Sequence, residues 1–452
     1  MDEQELKFQK MTQPPVPRLI CQLAFPCIIS MLVTSFYNMA DTFFVGMLNN
    51  ASATGAVGVV FSLMSIIQAV GFFFGHGSGN YISRELGKKN YDEASNMAAT
   101  GFFYSLIAGA LICLLGQIFL EPLAYLLGST ETILPYTRDY MRVILLGAPW
   151  MAGSLVLNNQ LRYQGNPVYA MVGIVSGAVL NIVLDPIMIF SLGLDVAGAG
   201  WATIISQFVS FCILFIGCCK GNSIRISFRH FKCKSFYFSM IVQGGLPSLA
   251  RQCLASFATI CLNRAAGSYH DAAVAAMGIV QRIMMFGAST MLGFGQGFQP
   301  FCGFNYGAGL YHRVRQGFWF CIKVSLVFLT AASALMFIFA PEMISWFQND
   351  PEVIRCGTLA LRFQCISFPT LSWIVMSNMM EQSIGRTVSA TFLSAARQGI
   401  FFIPAIWLLN HFMGLTGIQM AQMVADFCTL ACAVPIHICV LKSMEAKKTR
   451  TG

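Results

Sequence analysis

The chain has 452 residues, of which 56% are hydrophobic and only 10% are charged. Soluble domains carry roughly 25% charged residues, so most of this chain must face lipid or other apolar helices. The composition therefore excludes a soluble protein and predicts an all-α integral membrane protein that crosses the bilayer many times.

The first 18 residues, MDEQELKFQKMTQPPVPR, are polar. They lack the short apolar core and the small-residue cleavage site of a secretory signal peptide, so we expect residues 1–18 to be a cytoplasmic N-terminal segment. The first hydrophobic segment should remain in the protein and span the membrane.

A membrane-spanning helix needs roughly 20 apolar residues. Twelve segments qualify, at 19–48, 54–80, 94–119, 136–161, 168–190, 201–219, 240–267, 273–300, 316–340, 356–381, 388–409 and 417–441. An even number of spans places both termini on the same side of the membrane.

Basic residues lie in every second loop of this arrangement. Together with the two tails, most of the 28 Lys and Arg residues lie in loops 84–94, 162–167, 220–234, 311–316 and 385–386. Short basic loops stay in the cytoplasm, so we expect both termini on the cytoplasmic side. The membrane that we expect the protein to cross is the inner cell membrane. This placement accounts for the net charge of +9 without a nucleic-acid partner.

The chain also repeats itself. FGHGSGNYISRELGKKNYDEA, starting at 74, aligns without gaps on FGQGFQPFCGFNYGAGLYHRV, starting at 294, an offset of 220 (294 minus 74). Two six-helix copies in the same membrane orientation are a known transporter plan. The predicted parts are an N-terminal lobe, a cytoplasmic basic linker, a C-terminal lobe and a cytoplasmic tail, at 19–219, 220–239, 240–441 and 442–452.

The sixteen Cys residues include no C-x-x-C pair, and they lie almost wholly in apolar runs or basic loops. We therefore expect reduced, buried thiols that pack as small apolar side chains, and no disulfide framework.

One apolar run, LNIVLDPIMIF at 180–190, contains a carboxylate and a proline. A charged side chain at the bilayer centre costs at least ~2.5 kcal/mol, so Asp185 needs a partner or a function. Asn181 precedes it by four positions and faces the same side of the helix. Pro186 weakens the local ladder of backbone hydrogen bonds and frees carbonyl groups.

Two further oxygen-bearing side chains, Asp41 and Thr203, are predicted at the same depth. Two carboxylates, an amide and a hydroxyl are the ligands that small hard cations prefer, and two close carboxylates could instead hold a proton. At the offset of 220, the second copy has Phe401 and Ala405 in place of the amide and carboxylate of the fifth helix. The alternative is that the aspartates only cap or bond neighbouring helices.

PCIISMLVTSFYNMADTFFVGML at 26–48, followed by ATGAVGVVFSLMSII at 53–67, resembles the opening helices of prokaryotic multidrug and toxic compound extrusion (MATE) transporters. Further stretches similar to family landmarks occur in family order: GHGSGNYISRELGKKNYDEA, LRYQGNP, LNIVLDPIMIFSLGLDVAGAGWATIISQ and EQSIGRTVSATFLSAARQGIFFIPA. The resemblance implies two pseudo-symmetric six-helix bundles around a central cavity that opens alternately to each side.

The resemblance also implies roles for individual residues. The family's cation site carries over, position by position, to Asp41, Asn158, Asn181, Asp185 and Thr203. Our topology places the asparagine at 158 deeper than the other four, and Na⁺ is the metal ion expected at those four. Pro26 is either a simple kink or a bend that changes when Asp41 is protonated or binds a cation.

Polar residues of the C-terminal lobe are further candidates. Some family members use acidic residues there, but Glu381 lies beside the basic loop 385–386, which favours a solvated group at the membrane interface. Arg397 resembles a family arginine with a packing, gating or substrate-binding role. Asp426 is either an acceptor in helix packing or the partner of a base.

The predicted function is secondary active antiport. Entry of Na⁺ or H⁺ would drive the export of amphiphilic, often cationic, drugs or toxic organic compounds, with no cofactor beyond the coupling ion. The expected partners are these small molecules and the lipid bilayer, and we expect a monomer.

Two alternatives remain at this point. A lipid-linked oligosaccharide flippase of the same superfamily would have several cations in its cavity and often two extra helices. An integral-membrane transferase is disfavoured, because the six His are scattered and neither D-D-x-x-D nor H-E-x-x-H occurs.

Overall fold

The computed structural model describes the backbone of residues 3–47, 50–220, 224 and 226–451. Within these ranges, it leaves out the side chains of residues 3, 38, 39, 41, 42, 46, 51, 54, 220 and 446–451.

The chain folds into twelve long helices, which confirms the prediction from the hydrophobic segments. They are α1 (Val16–Gly46), α2 (Ala51–Gly87), α3 (Tyr91–Ile118), α4 (Leu134–Tyr163), α5 (Pro167–Ser191), α6 (Asp195–Lys220), α7 (Ser235–Gly267), α8 (Asp271–Gly307), α9 (Tyr311–Ile338), α10 (Pro351–Ile384), α11 (Thr387–Met413) and α12 (Leu415–Thr451). No strand occurs in the described ranges.

The repeat extends to the ends of the helices. Asn50 caps α2 by accepting from the backbone N–H of Ser52 at 3.0 Å, and His270, 220 positions later, caps α8 by accepting from that of Ala273 at 2.9 Å. Gly165 and Gly385, also 220 apart, end α4 and α10 with φ of +83° and +84°. Such backbone angles favour glycine because it has no Cβ.

Within the described residues, eleven helices are apolar enough and long enough to cross a bilayer. The exception is α7, whose 33 residues include Arg251, Arg264, two Gln and one Asn. A helix of this length extends about 50 Å, so it still spans the membrane. It packs against α2, α8 and α11, so much of its surface meets protein instead of lipid.

Helices α1–α6 form one lobe and α7–α12 form the other. The lobes meet along a seam made by α1 and α2 on one side and by α7 and α8 on the other. A Cβ on Gly87 would lie 2.1 Å from the carbonyl oxygen of Phe304, and one on Gly307 would lie 2.1 Å from that of Arg84. Each residue of the first contact is 220 positions from its counterpart in the second, so the seam has approximate twofold symmetry.

The seam lies toward one end of the bundle. We call the end that carries loops 88–90 and 308–310 the basic end. The seam contacts lie on the parts of α1, α2, α7 and α8 nearest to it, as where Gly77 meets Ile241 and Gly297 meets Ala24.

Two adjoining cavities lie further from the basic end. The C-lobe cavity, of about 360 Å³, is lined by residues of α7, α8 and α10–α12. The N-lobe cavity, of about 270 Å³, is lined by α1, α2 and α4–α6 together with α7 and α8. Both are lined in part by Arg251, Gln252 and Met285, so the two cavities meet at the centre of the molecule.

Part of the polar N-terminal segment forms a helix. Its helix, Glu3–Thr12, lies across the basic end: the side-chain amide of Asn305 donates to the backbone oxygen of Met11 at 3.1 Å, and Lys89 pairs with Glu5 at 2.8 Å. The helix therefore touches both lobes. Between the lobes, α7 already begins at Ser235, so the last residues of the predicted linker 220–239 belong to a membrane helix.

The cysteines are only partly buried. All sixteen are free thiols, and the exposed ones are Cys21, Cys219, Cys233, Cys253 and Cys439. The expectation of buried thiols therefore fails for these five, because each lies on a helix or linker surface that faces away from the lobe interior.

Candidate ion and substrate sites

Three of the predicted cation-site residues come together between α5 and α6. The side-chain amide of Asn181 donates to Asp185 at 3.3 Å and lies 3.5 Å from the hydroxyl oxygen of Thr203. All three side chains are buried, with exposed fractions of 2%, 0% and 2% for 181, 185 and 203. The amide oxygen of Asn181 has no hydrogen-bond partner among the described residues.

The backbone changes immediately after the carboxylate. Pro186 has no N–H to donate to the carbonyl one turn back, and residues Ile187–Ser191 form a single turn of π-helix. Turns of this kind are frequently found at functional sites. The cluster therefore lies where α5 is least regular.

The remaining predicted ligand of this group, Asp41, belongs to α1, which packs against α5. Its side chain lies outside the described residues.

Asn158 has a different environment. Its amide donates to the backbone oxygen of Ala170 at 3.0 Å, and Asn378 donates to that of Ala390 at 2.6 Å. Both the donors and the acceptors are 220 positions apart, so the two lobes contain the same contact between neighbouring helices. Asn158 also lines the N-lobe cavity, but its amide N–H is used for packing.

Pro26 is buried in α1. On either side of it, Ala24 and Ile28 contact glycines of α8 at backbone distance. Beyond it, Ser30 and Thr34 line the N-lobe cavity. The proline therefore lies between the close contacts of α1 with α8 and shortly before the part of α1 that faces the cavity.

In the C-terminal lobe, Arg397 and Asp426 form an ion pair, with Nε of the arginine 2.8 Å from Oδ1 of the carboxylate. The carboxylate also accepts from Ser367 at 3.0 Å and from Gln422 at 2.8 Å. Asp426 is therefore both a base's partner and a packing acceptor. Arg397 lies in a π-helical turn, Ala396–Ile400, and both members of the pair line the C-lobe cavity.

The expectation that Glu381 is solvated is wrong. Its side chain is fully buried and lies 3.6 Å from Nδ1 of His437, whose side chain is also fully buried. The His437 ring stacks on Phe318, with ring centroids 3.9 Å apart. The sequence position near loop 385–386 was misleading because α10 continues to Ile384 and α12 covers this turn from the side.

Two arginines, one buried and one half-buried, were missed as functional candidates. Arg162, assigned to a basic loop, lies in the last turn of α4 and donates to Asn159 and, across the seam, to Gln296. Arg251, near the middle of α7, lines both cavities. A charged residue near the middle of a predicted span was the signal that could have identified the second.

A second polar contact crosses the seam at the equivalent place. Ser248 bonds to Nδ1 of His76 at 3.0 Å and accepts from Gln382 at 2.8 Å. Gln382 corresponds to Arg162 at the offset of 220, and His76 corresponds to Gln296. These two contacts form the floor of the cavities, and both must break before the lobes can part at the basic end.

Comparisons with known proteins agree with this architecture. The sequence profile of the MatE family matches residues 26–187 and 247–437. The multidrug export protein MepA of Staphylococcus aureus is 27% identical over 442 residues, which cover 97% of this chain and 96% of that protein.

Solved structures agree as well. A multidrug resistance MATE family transporter of the MOP superfamily, in an outward-facing conformation, superposes with a TM-score of 0.91 at 26% identity, covering 97% of this chain and 98% of that one. A MOP superfamily transporter from Pyrococcus furiosus, described as having a binding pocket of reverse polarity that suggests a different function, gives 0.90 at 26% identity, with 97% and 98% covered.

The family profile covers both lobes, and the twelve-helix fold matches the solved transporters along nearly the whole chain. A family of transporters also removes the transferase alternative. The chain belongs to the MATE family of multi-pass membrane transporters.

Proposed function

We propose that the protein is a secondary active antiporter that couples the entry of Na⁺ or H⁺ to the export of bulky amphiphilic compounds, organic cations among them. The observation that supports this proposal is the buried cluster of Asn181, Asp185 and Thr203, which has no equivalent in the second lobe. A buried carboxylate that serves only the scaffold would be expected in both copies.

The cluster offers a place for either ion. In the present arrangement, the amide N–H of Asn181 points at Asp185 and Thr203. If that amide turned over, its oxygen would join the carboxylate and hydroxyl oxygens around a Na⁺ ion. A proton on Asp185 would instead donate to the same amide oxygen.

Pro26 would connect the ion site to the cavity. Backbone contacts with α8 flank Pro26 at Ala24 and Ile28, and the following turns of α1 line the N-lobe cavity and lead to Asp41. A change in charge at Asp41 would therefore act through the part of α1 that follows the proline, where a helix can bend.

The charge distribution indicates how the protein is oriented in the membrane. We place the protein in the inner cell membrane with the basic end and both termini in the cytoplasm, so that the closed seam blocks the cavities from the cytoplasmic side. The described conformation would then be the one that releases substrate outward. We propose a monomer, since each chain contains both lobes of the transport unit.

The test is ethidium efflux from proteoliposomes under a Na⁺ gradient or a pH gradient, imposed separately. Asp185→Asn should abolish efflux driven by the coupling ion, whereas Asp195→Asn, at an exposed carboxylate ten residues away, should leave it unchanged. Gradient-driven efflux that survives in folded Asp185→Asn protein would contradict the proposed site. Failure of the wild type under both gradients would contradict the proposed function.

One observation favours the flippase as a second candidate. Arg162, Arg251 and Arg397 line the cavities, and a cavity with several cations is what a carrier of lipid-linked phosphates requires. Against it, the described residues form twelve long helices and not the fourteen that this alternative often has. Flipping of a fluorescent phospholipid in the same proteoliposomes would detect this activity.

A further inference from the structure

Arg251 lies near the middle of α7, where the two cavities meet. Among the side chains that the structure describes, it has neither a hydrogen-bond partner nor an ion-pair partner. A guanidinium at this depth costs at least ~2.5 kcal/mol unless a partner or water solvates it. Its position is therefore difficult to explain by packing.

The other charges of the cavities do not compensate for it. In the C-lobe cavity the carboxylate of Asp426 is already paired with Arg397. In the N-lobe cavity Arg162 donates to neutral amides, and no described carboxylate lines that cavity. The described walls of the two cavities thus carry an excess of positive charge, centred where Arg251 projects.

Most of the remaining wall of the C-lobe cavity is apolar, although several Gln side chains also face it. Its apolar part includes Met277, Met284, Met291, Phe368 and Phe402. Thioether and aromatic side chains adapt to bulky apolar groups of varied shape. The volume of about 360 Å³ lies in the range of roughly 300–1,000 Å³ that is usual for small-molecule sites.

We propose that Arg251 binds the anionic head, a carboxylate or a phosphate, of an amphiphile whose apolar body lies in the C-lobe cavity. The guanidinium presents paired N–H donors that match the two oxygens of such a head. This inference adds anionic amphiphiles to the substrates of the proposed function, and it rests on that function only for transport, since binding is measured separately.

The experiment compares two probes with the same apolar body and opposite charge. 1-Pyrenebutyrate carries a carboxylate, and 1-pyrenebutyl-trimethylammonium carries a quaternary ammonium. Retention of each probe on immobilised full-length protein in detergent, with protein-free beads as background, gives both dissociation constants. The variants are Arg251→Gln, Arg251→Lys and the matched control Arg264→Gln, at an exposed arginine of the same helix.

The wild type should bind the carboxylate at least about tenfold more tightly than the ammonium, since a hydrogen bond to a charged group contributes about 1.5–3 kcal/mol. Arg251→Gln should remove this preference, Arg251→Lys should keep part of it, and Arg264→Gln should keep all of it. Equal or tighter binding of the ammonium by the wild type overturns the proposal, and this comparison does not depend on any variant folding.

A competition arm identifies the source of the head group. Displacement of 1-pyrenebutyrate by phosphatidylglycerol, but not by phosphatidylcholine, would show that Arg251 holds a lipid phosphate. Displacement by neither lipid would assign the site to soluble carboxylates. If the wild type shows no preference for the anion but still exports ethidium, the proposed function stands and only this inference is overturned.

Discussion

The two lobes contain the same asparagine contact, from Asn158 to Ala170 in one lobe and from Asn378 to Ala390 in the other. Their ionisable groups differ instead. At the offset of 220, Glu381 corresponds to Leu161, Arg397 to Gly177, and Asp185 to Ala405. This polar contact between helices occurs in both lobes, whereas each of the three charges occurs in one.

Within a duplicated chain, this difference separates side chains that the fold requires from side chains that serve a function. A side chain that the fold requires is needed in both copies, because both copies solve the same packing problem. A buried charge found in one copy must be explained by what that lobe does. By this criterion, the carboxylate of the N-terminal lobe and the two paired carboxylates of the C-terminal lobe are functional candidates, and the asparagines are not.

The largest expected effect concerns the buried pair of Glu381 and His437. His437→Phe removes the base and leaves the carboxylate buried alone, which should lower the free energy of unfolding by about 3–5 kcal/mol. Adding Glu381→Leu, the residue type that the N-terminal lobe has at this position, should restore most of the loss. Thermal unfolding in detergent, followed by tryptophan fluorescence, measures both effects. A double variant no more stable than the single one would show that the unpaired Glu381 carboxylate is not the cause of the loss.

The next effect separates stability from transport. Arg397→Gln leaves Asp426 with neutral donors only, and because the arginine is partly solvated we expect a loss of about 2 kcal/mol. Asp185→Asn keeps a neutral group of the same shape and should change stability by less than about 1 kcal/mol while stopping ion-driven efflux. Comparable unfolding of the two variants would contradict the expectation that the charge of Arg397 stabilises the fold whereas that of Asp185 does not.

The seam provides a test of symmetry. Gly87→Ala and Gly307→Ala each place a Cβ against a backbone carbonyl of the other lobe. Each should lower the free energy of unfolding by about 1–3 kcal/mol, and the two losses should be similar. Gly278→Ala, on the same helix as Gly307 but with nothing within 4 Å of the added Cβ, is the control and should be neutral or slightly stabilising. Unequal losses at 87 and 307 would show that the two halves of the seam are not equivalent.

The smallest effect concerns the repeated asparagine. Asn158→Ala and Asn378→Ala each leave a backbone carbonyl without its side-chain donor, at an expected cost of about 1 kcal/mol. Neither should change which ion drives efflux. A shift in ion dependence confined to Asn158→Ala would move that residue back into the coupling site.

The sequence was sufficient for the twelve helices and the two lobes, because long apolar segments and a constant offset of 220 are visible without tertiary information. It also brought together Asn181 and Asp185, since residues four apart share a helix face. It could not place Glu381 or Arg162. Whether a residue near a helix end meets water or a neighbouring helix depends on packing that no local pattern contains.

The polar character of α7 has a consequence for the biogenesis of the protein. Arginine near the centre of a segment adds about 2.5–3.5 kcal/mol to its apparent free energy of insertion, so α7 should partition poorly into lipid by itself. It packs against α2, which the ribosome has already completed when α7 emerges, and against α8, which follows at once. The order of the two copies in the chain thus provides a protein surface for α7 before it must leave the translocon. A chain with the copies exchanged would make α7 before α2, and we expect it to insert less efficiently.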